Sequence, residues 1–216
     1  MARKNLVIIG AGGLGKEILW LLEENNKIAD EWNILGFIDR AHDHRVRPNC
    51  GYPIIGDDEW LSEYKGEIYA VCGVASASIR KRIVQKFINK ENIIFPNIIS
   101  HRAILSDRVK LGKGCVICTN TVLTVDICLG DFVIVNYDCT VGHDAKLDDY
   151  ITVYPGVNVS GNVYIKSETE IGTGTQIIQG LNIGENTVVG AGAVVIRDIP
   201  DNCTAAGNPA RIIKKR

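Results

Sequence analysis

Residues 111–147 read LGKGCVICTNTVLTVDICLGDFVIVNYDCTVGHDAKL, and an aliphatic side chain returns at every sixth position of this stretch. The spacing continues without an insertion from Ile99 to Val195. We call the aliphatic residue that begins each repeat its leader. The seventeen leaders are Ile99, Leu105, Leu111, Ile117, Leu123, Leu129, Val135, Val141, Leu147, Val153, Val159, Ile165, Ile171, Ile177, Ile183, Val189 and Val195. Because Leu, Ile and Val make up only 63 of the 216 residues, chance would produce such a run with a probability of roughly 10⁻⁹.

A period of six fits neither the 3.6-residue repeat of an α-helix nor the two-residue alternation of a strand. It predicts a prism in which each flat face is one hexapeptide and three faces make a coil of about 18 residues. The fourth residue after a leader is small or aliphatic, as at Thr121, Cys139 and Ala193. Stacked coils would bury both positions, so we expect ladders of aliphatic and small side chains to fill the interior.

The seven cysteines form no recognisable metal or redox motif. Cys115 and Cys118 make a lone CxxC pair, without the second pair or nearby histidines of a zinc site and without the helix start of a redox motif. Cys115 and Cys139 fall on the small inward position of the repeat, which predicts a packing role. We predict no metal site, and an odd cysteine count without a secretion signal indicates reduced thiols in the cytoplasm.

Charge and hydropathy exclude several classes of protein. The 24 basic and 25 acidic residues nearly cancel, so the chain lacks the basic footprint of a nucleic-acid-binding protein. Apolar runs such as Leu6–Ile9 and Ile18–Leu22 are far shorter than the ~20 residues that cross a bilayer. Glycine interrupts the apolar stretch at the start and no A-x-A-like site follows, so we predict no signal peptide. We expect a cytoplasmic protein without nucleic-acid partners or membrane insertion.

Residues 1–92 alternate between strand and helix patterns, which predicts a small Rossmann-like parallel sheet. Strands are expected at 4–10, Ile34–Asp39 and Ile68–Cys72. Helices are expected around Ile18–Leu22, after a cap formed by Asp57–Glu59, and over the basic segment Ser76–Asn89. Ile93–Phe95 is expected to lead into the first coil. The predicted fold is therefore an α/β domain over 1–92 followed by a parallel β-helix of hexapeptide repeats over 93–216.

A glycine-rich turn follows the first predicted strand. Gly10, Gly12 and Gly15 satisfy G-x-G-x-x-G before a helix, where backbone amides can hold phosphate oxygens. Asp39 ends the next strand, where a carboxylate for a ribose or a base would lie. The segment is too short for a full dinucleotide domain. Three interpretations stay open: a phosphate-bearing ligand that is not a dinucleotide, a dinucleotide, and a purely structural turn.

His143 is the strongest candidate for chemistry among the four histidines. It is the third residue of the repeat that begins at Val141, a position that points outward near a corner, and Asp144 follows it. An imidazole beside a carboxylate suits a general base. A surface histidine with a local aspartate is the alternative. The other histidines are interpreted without a catalytic role, His42 and His44 as exposed loop residues and His101 as structural or interfacial.

Four segments together resemble one family: GAGGLGK at 10–16, NYDCTVGHD at 136–144, GAGAVV at 190–195 and GNPAR at 207–211. They resemble the sugar O- and N-acetyltransferases of bacterial surface-glycan synthesis. That family includes the acetyltransferases of nucleotide-linked 4-amino-4,6-dideoxy sugars and the sialic acid O-acetyltransferases. The resemblance spans essentially the whole chain. It implies a left-handed parallel β-helix and a homotrimer, with acetyl-CoA bound as donor between neighbouring β-helices and no tightly bound cofactor.

The activity implied by this resemblance is acetyl transfer to the 4-amino group of a nucleotide-linked 4-amino-4,6-dideoxysugar, in the synthesis of O-antigen, capsule or glycoprotein glycans. The residue matching the family's base is His143, and Asp144 matches the acidic residue that raises its basicity. Two alternatives are O-acetylation of sialic acid or a related free sugar, and a non-catalytic β-helix scaffold.

The resemblance also implies binding residues. The sugar nucleotide would meet Gly12, Gly13, Leu14, Asp39, Arg40 and Gly73, with Asn136 as a further substrate-binding residue. Acetyl-CoA would meet Thr152, Thr173 and Ala191, the last two through backbone atoms. The chain departs from the pattern at three positions. Relatives often have histidine where Leu14 stands and an acidic residue where Arg40 stands, and they can have histidine at Thr152.

Overall fold

The structure is a computed structural model that describes residues 3–40 and 50–216. It divides into two compact units, Met1–Ala75 with Ile79–Ile98 and Ser76–Ser78 with Ile99–Arg216. His42 and His44 lie outside the described residues, so their interpretation stays a prediction.

The first unit is built on a five-stranded parallel sheet, which confirms the small Rossmann-like α/β fold. Its elements are β1 (Lys4–Ile9), α1 (Gly13–Asn26), β2 (Trp32–Ile38), β3 (Ile54–Gly56), α2 (Asp58–Glu63), β4 (Ile68–Cys72), most of α3 (Ala77–Val84) and β5 (Ile93–Ile94). The strand order is β3-β2-β1-β4-β5. Apolar residues of β1 and α1 bury together as its core: Leu6, Val7, Ile8, Ile9, Ile18, Leu19, Leu21 and Leu22.

Three details of this unit differ from the sequence prediction. Strand β3 was not predicted, because three residues are too few to show a periodicity. Residues Ile93 and Ile94, expected at the entry to the coils, pair instead with Ile68 and Tyr69 as an edge strand of this sheet. Helix α3 stops at Val84, shorter than expected, and the chain continues in turns that include an N–H of Phe87 bonded to the Val84 carbonyl at 2.9 Å.

The second part of the chain is a left-handed parallel β-helix, as expected. Seventeen two-residue strands carry the repeats: β6 (Ile98–Ile99), β7 (Ile104–Leu105), β8 (Lys110–Leu111), β9 (Val116–Ile117), β10 (Val122–Leu123), β11 (Cys128–Leu129), β12 (Ile134–Val135), β13 (Thr140–Val141), β14 (Lys146–Leu147), β15 (Thr152–Val153), β16 (Asn158–Val159), β17 (Tyr164–Ile165), β18 (Glu170–Ile171), β19 (Gln176–Ile177), β20 (Asn182–Ile183), β21 (Val188–Val189) and β22 (Val194–Val195). Two longer strands, β23 (Cys203–Ala206) and β24 (Arg211–Lys215), follow and pair antiparallel with each other.

The coil strands form three sheets, one for each face of the prism. Their orders are β22-β19-β16-β13-β10-β7, β20-β17-β14-β11-β8 and β24-β23-β21-β18-β15-β12-β9-β6. Each strand from β7 to β19 pairs in parallel with the strand 18 residues further on, as Leu123 does with Val141. The hexapeptide period therefore becomes a stack in which equivalent residues of successive coils lie next to each other.

The interior follows the predicted ladders. Every repeat leader from Ile117 to Val195 is at most 4% exposed. Small inward side chains also donate hydrogen bonds to backbone carbonyls 15 residues later, as Thr121 Oγ1 does to Asn136 at 2.7 Å and Thr169 Oγ1 to Gly184 at 2.6 Å. Cys115 makes the same contact with Gly130 at 3.2 Å, which confirms its packing role.

The corners of the prism turn through left-handed backbone. Every sixth residue from Gly114 to Gly192 has a positive φ, and most of these residues are Gly, Asn or Asp, which tolerate that conformation best. The exceptions are Phe132, Tyr150 and Glu168, and the rings of Phe132 and Tyr150 stack on each other in adjacent coils at 5.4 Å. The corner geometry thus favours Gly, Asn or Asp three residues after a leader.

Candidate active site

His143 lies at the corner that follows β13, with its side chain 66% exposed. Its Nδ1 atom is 2.8 Å from Oδ2 of Asp144. Asp144 has one of the left-handed corner conformations, with φ 61°. Because a carboxylate only accepts hydrogen bonds, we assign the ring proton to Nδ1, which leaves Nε2 with a lone pair. The corner can therefore present a neutral imidazole as a proton acceptor.

Backbone hydrogen bonds hold this corner between its neighbouring coils. The Asp144 N–H donates to the carbonyl of Val125 in the preceding coil at 3.1 Å, and the Asn162 N–H of the following coil donates to the carbonyl of His143 at 2.7 Å. The imidazole is thus carried by a fixed backbone and not by a loop, which favours a constant position for Nε2.

The glycines of the first unit divide into two groups. Gly10 has a φ of 100°, and a Cβ on Gly15 would lie 2.0 Å from the Gly10 carbonyl oxygen. A Cβ on Gly73 would lie 2.7 Å from Cα of Gly15, so these three glycines allow β1, α1 and β4 to approach closely. Gly12 and Gly13 instead face open space, since no atom of residues 3–40 and 50–216 lies within 4 Å of an added Cβ. They lie at the start of α1, where free space next to helix amides fits a phosphate group.

A cavity of about 190 Å³ lies within this unit, next to the ends of β1 and β2. Asp39 and Arg40 line it, as do Asp58, Arg82 and Lys86. Oδ2 of Asp39 accepts a hydrogen bond from the Ala11 N–H of the glycine turn at 2.8 Å. The structure therefore brings Asp39 and Arg40 together at one cavity and ties the Asp39 carboxylate to the glycine-rich turn.

Three charged residues of this cavity were not predicted as site residues. Oδ2 of Asp58 lies 3.1 Å from Nη2 of Arg40 and 2.5 Å from Nζ of Lys86, and Arg82 lines the same cavity. The sequence contains one usable signal, since Arg82 and Lys86 are four residues apart in a segment recognised as a basic helix. Asp58 was interpreted only as part of a helix cap, and the cap itself is made by Asp57, which accepts from the N–H of Glu59 at 3.0 Å.

The residues expected to bind acetyl-CoA lie at a different corner from His143. Thr173 follows β18 and Ala191 follows β21, and both are exposed at equivalent positions of adjacent coils. The N–H of Gly192 donates to the carbonyl of Thr173 at 2.8 Å. A whole strand of the six-stranded sheet separates this corner from the His143 corner. One chain therefore does not bring the two sets of residues together.

Two of the predicted binding residues, Thr152 and Asn136, are buried within the single chain. Thr152 is fully buried in β15, and Asn136 is 3% exposed at the end of β12. Their N–H groups donate to Thr169 at 3.0 Å and to Val153 at 2.9 Å in the following coil. Both residues contribute to the stacking of the coils.

His101 is exposed, and its Nε2 accepts a hydrogen bond from Arg102 at 3.3 Å. Within residues 3–40 and 50–216, no group of three or more His, Cys, Asp or Glu side chains is placed to hold a metal ion. Among the helices that the structure describes, none has both the length and the apolar character needed to span a membrane.

Comparison with known proteins relates both parts of the chain to sugar acetyltransferases. Residues 5–87 match the family model for the PglD N-terminal domain. The chain is 28% identical over 162 residues to the GDP-perosamine N-acetyltransferase of Escherichia coli O157:H7. The aligned residues cover 74% of this chain and 71% of that protein.

Two solved structures match nearly the whole chain. The acetyltransferase domain of PglB from Neisseria gonorrhoeae FA1090, in complex with acetyl coenzyme A, is 33% identical with a TM-score of 0.89, over 98% of this chain and 100% of that one. The perosamine N-acetyltransferase from Caulobacter crescentus, in a variant with asparagine in place of a histidine and in complex with CoA and GDP-perosamine, is 27% identical with a TM-score of 0.86, over 98% and 97%. The chain therefore belongs to the hexapeptide-repeat family of sugar acetyltransferases.

Proposed function

We propose that this enzyme transfers the acetyl group of acetyl-CoA to the 4-amino group of a nucleotide-linked 4-amino-4,6-dideoxysugar, for bacterial surface-glycan synthesis. The observation that carries the proposal is the exposed imidazole of His143, oriented by Asp144 across 2.8 Å on a rigid corner of the β-helix. The relatives that act on GDP-perosamine support an amino sugar attached to a nucleotide as the acceptor.

The reaction is a direct transfer in a complex that holds both substrates. The neutral sugar amine attacks the thioester carbonyl carbon, and Nε2 of His143 takes a proton from the amine as the C–N bond forms. A backbone N–H at a coil corner stabilises the tetrahedral oxyanion. The C–S bond then breaks, and the CoA sulfur leaves as a thiolate that takes up a proton. The products are the N-acetylated sugar nucleotide and CoA, and no enzyme nucleophile takes part.

The nucleotide portion of the acceptor is assigned to the first unit. Gly12, Gly13 and Leu14 at the start of α1 offer amides and open space to the phosphates, and Gly73 completes the close approach beneath them. Asp39 and Arg40 line the adjoining cavity and are assigned to the base or ribose. A carboxylate next to a guanidinium offers both hydrogen-bond acceptors and donors, which suits the mixed polar edge of a nucleobase.

The acetyl donor is assigned to a groove between two copies of the chain in a homotrimer. Thr173 and Ala191 lie one prism face away from His143, so a neighbouring chain can supply the corner that one chain alone leaves distant. Three aliphatic side chains near the His143 corner support a covered surface, since Val125, Ile178 and Ile196 are 37–41% exposed. Asn136 and Thr152 are assigned to support the coil next to this groove and not to contact a ligand in the single chain.

We assign the reaction to the cytoplasm, where acetyl-CoA and nucleotide sugars are made. The seven cysteine thiols of the chain fit a reducing compartment.

The decisive test measures the release of CoA thiol from acetyl-CoA with UDP-, dTDP- and GDP-linked 4-amino-dideoxy sugars, and with N-acetylneuraminate. We expect turnover with one amino sugar nucleotide, and a rise in Tm with the matching nucleotide. Turnover with N-acetylneuraminate alone would replace the amine by a hydroxyl acceptor and remove the nucleotide from the proposal. No turnover with any acceptor would favour the non-catalytic scaffold.

His143→Ala tests the base. A general base contributes about 10²–10⁴ in rate, so kcat should fall by that factor while the KM for acetyl-CoA stays the same. His101→Ala is the matched control, because His101 is an exposed histidine outside the proposed site. Near-normal turnover of His143→Ala would contradict the assignment of His143.

A further inference from the structure

Gly161 lies directly next to His143 in the stack, at the equivalent position of the following coil. A Cβ built on Gly161 would lie 2.5 Å from Nε2 of His143 and 2.6 Å from Cε1. Carbon atoms of real side chains do not approach that closely. The imidazole therefore occupies the space that any other residue at 161 would fill with its side chain.

Backbone conformation does not explain this glycine. Gly161 is not among the glycines with positive φ, unlike Gly156, Gly174 and Gly180 at the left-handed corners. An alanine could adopt the same backbone without strain. What Gly161 provides is thus the empty space above its Cα and not an unusual φ.

If residue 161 carried a methyl group, the imidazole of His143 would move, because the surrounding backbone is held in place. The Asn162 N–H is bonded to the carbonyl of His143 at 2.7 Å, and the carbonyl of Gly161 accepts from the Gly180 N–H at 3.0 Å. A Cβ on Gly142 would lie 2.6 Å from the Gly161 nitrogen, so the two coils are already in close contact here. The side chain of His143 is exposed and can swing outward more easily than two hydrogen-bonded coils can separate.

We propose that Gly161 is a positioning residue for His143. Asp144 orients the ring through Nδ1, and the bare Cα of Gly161 allows Nε2 to lie against the next coil. Together they define the place at which the base meets the acceptor. This inference rests on the proposed role of His143 as the base.

The first experiment compares Gly161→Ala with the wild-type enzyme under saturating substrates. A displacement of about 1 Å at a reacting group can cost on the order of 10²-fold, so we expect kcat to fall about 10- to 100-fold. The KM for acetyl-CoA and the Tm should stay at the wild-type values. Gln179→Ala is the control, because Gln179 is the exposed residue at the equivalent position one coil further on. An unchanged kcat in Gly161→Ala would overturn the proposal.

A double-mutant cycle separates positioning from any independent effect of the methyl group. In the His143→Ala background there is no imidazole to displace, so Gly161→Ala should not lower the residual rate further. If the methyl lowers the rate by the same factor in both backgrounds, it acts on a substrate or on an oxyanion donor, and the positioning role is wrong.

A third readout does not depend on activity. The four histidines give four ring Cε1–H signals in an NMR spectrum, and His143→Ala identifies the signal of His143 by its loss. In Gly161→Ala that signal alone should shift, and a spectrum identical to wild type would overturn the inference. If His143→Ala retained full activity while Gly161→Ala shifted the signal, the base assignment would fail and the packing relationship would stand.

Discussion

Oδ2 of Asp144 lies 2.8 Å from Nδ1 of His143, and the two side chains belong to consecutive residues at one corner of the β-helix. The left-handed backbone of Asp144, with φ 61°, turns its carboxylate back toward the preceding imidazole. The same conformation that closes the corner of the prism therefore also orients the candidate base. Asp144 therefore has both a structural role in the corner and a proposed role in orienting His143.

Asp144→Asn should lower kcat by about 10- to 100-fold, less than the loss of His143 itself, because the base remains but loses its charged partner. Asparagine tolerates the left-handed region, so the corner should keep its shape and the Tm its value. Steady-state kinetics and a melting curve test this. Asp138→Asn is the control, since Asp138 has the same kind of corner conformation with φ 56° and lies outside the proposed catalytic pair. Equal kcat values for both variants would argue against a role for the Asp144 charge.

Asp39→Ala should raise the KM for the nucleotide sugar about tenfold or more, because a charged hydrogen-bonding group contributes roughly 1.5–3 kcal/mol. The KM for acetyl-CoA should not change, since Asp39 lies in the first unit with the glycine-rich turn. The rise in Tm caused by the nucleotide should shrink in parallel. Asp30→Ala removes an exposed carboxylate that pairs only at the surface with Arg3 and is the control. Unchanged nucleotide protection in Asp39→Ala would remove Asp39 from the site.

Cys139→Ser should retain wild-type turnover. Cys139 is fully buried, its Sγ donates to the carbonyl of Tyr154 at 3.2 Å, and burial raises the pKa of its thiol to about 11. It is therefore neither accessible nor a thiolate near neutral pH, and serine can donate the same hydrogen bond. Loss of kcat in a variant with an unchanged Tm would instead indicate an acetyl-cysteine intermediate, which mass spectrometry could detect after mixing with acetyl-CoA.

We expect the protein to lose stability at alkaline pH because the thiols of Cys72 and Cys139 are buried. Burial raises the pKa of Cys72 and of Cys139 to about 11, from an ordinary value of 9.0. The folded state keeps these protons while the unfolded state releases them. Each thiol therefore contributes stability that is fully present below pH 9 and is lost as the pH rises toward 11. A shift of this size corresponds to at most about 3 kcal/mol per thiol.

The free energy of unfolding in urea at pH 8 and pH 10.5 tests this prediction, with Cys139→Ser as the comparison. Other groups titrate in the same range, including Tyr164, whose pKa is raised by its hydrogen bond to Asp148. The difference between wild type and Cys139→Ser isolates the one thiol. The variant should lose less stability than the wild type between the two pH values, and identical losses would contradict the prediction.

The β-helix could be predicted from the sequence because its order is local and repetitive. Each hexapeptide forms one face, and from β7 to β22 its neighbours in the stack are 18 residues away. The leaders at Ile117 to Val195 and the inward position of Cys139 follow directly from that period. The glycines at 10, 12 and 15 marked the turn before α1 for the same reason, since a tight turn is set by adjacent residues. The left-handed corner residues also follow the period, although the prediction did not use them.

Other features depend on which elements the fold brings side by side. Strand β5 belongs to the first sheet because Ile93 pairs with Ile68. No local sequence pattern predicts this pairing. Asp58 of α2 meets Lys86, which lies in the turns after α3, only through tertiary packing. The sequence alone thus determined the repeat, the outward position of His143 and its pairing with Asp144. The tertiary structure decided the charges around the cavity and the empty space at Gly161, because those depend on distances between side chains that are remote in the chain.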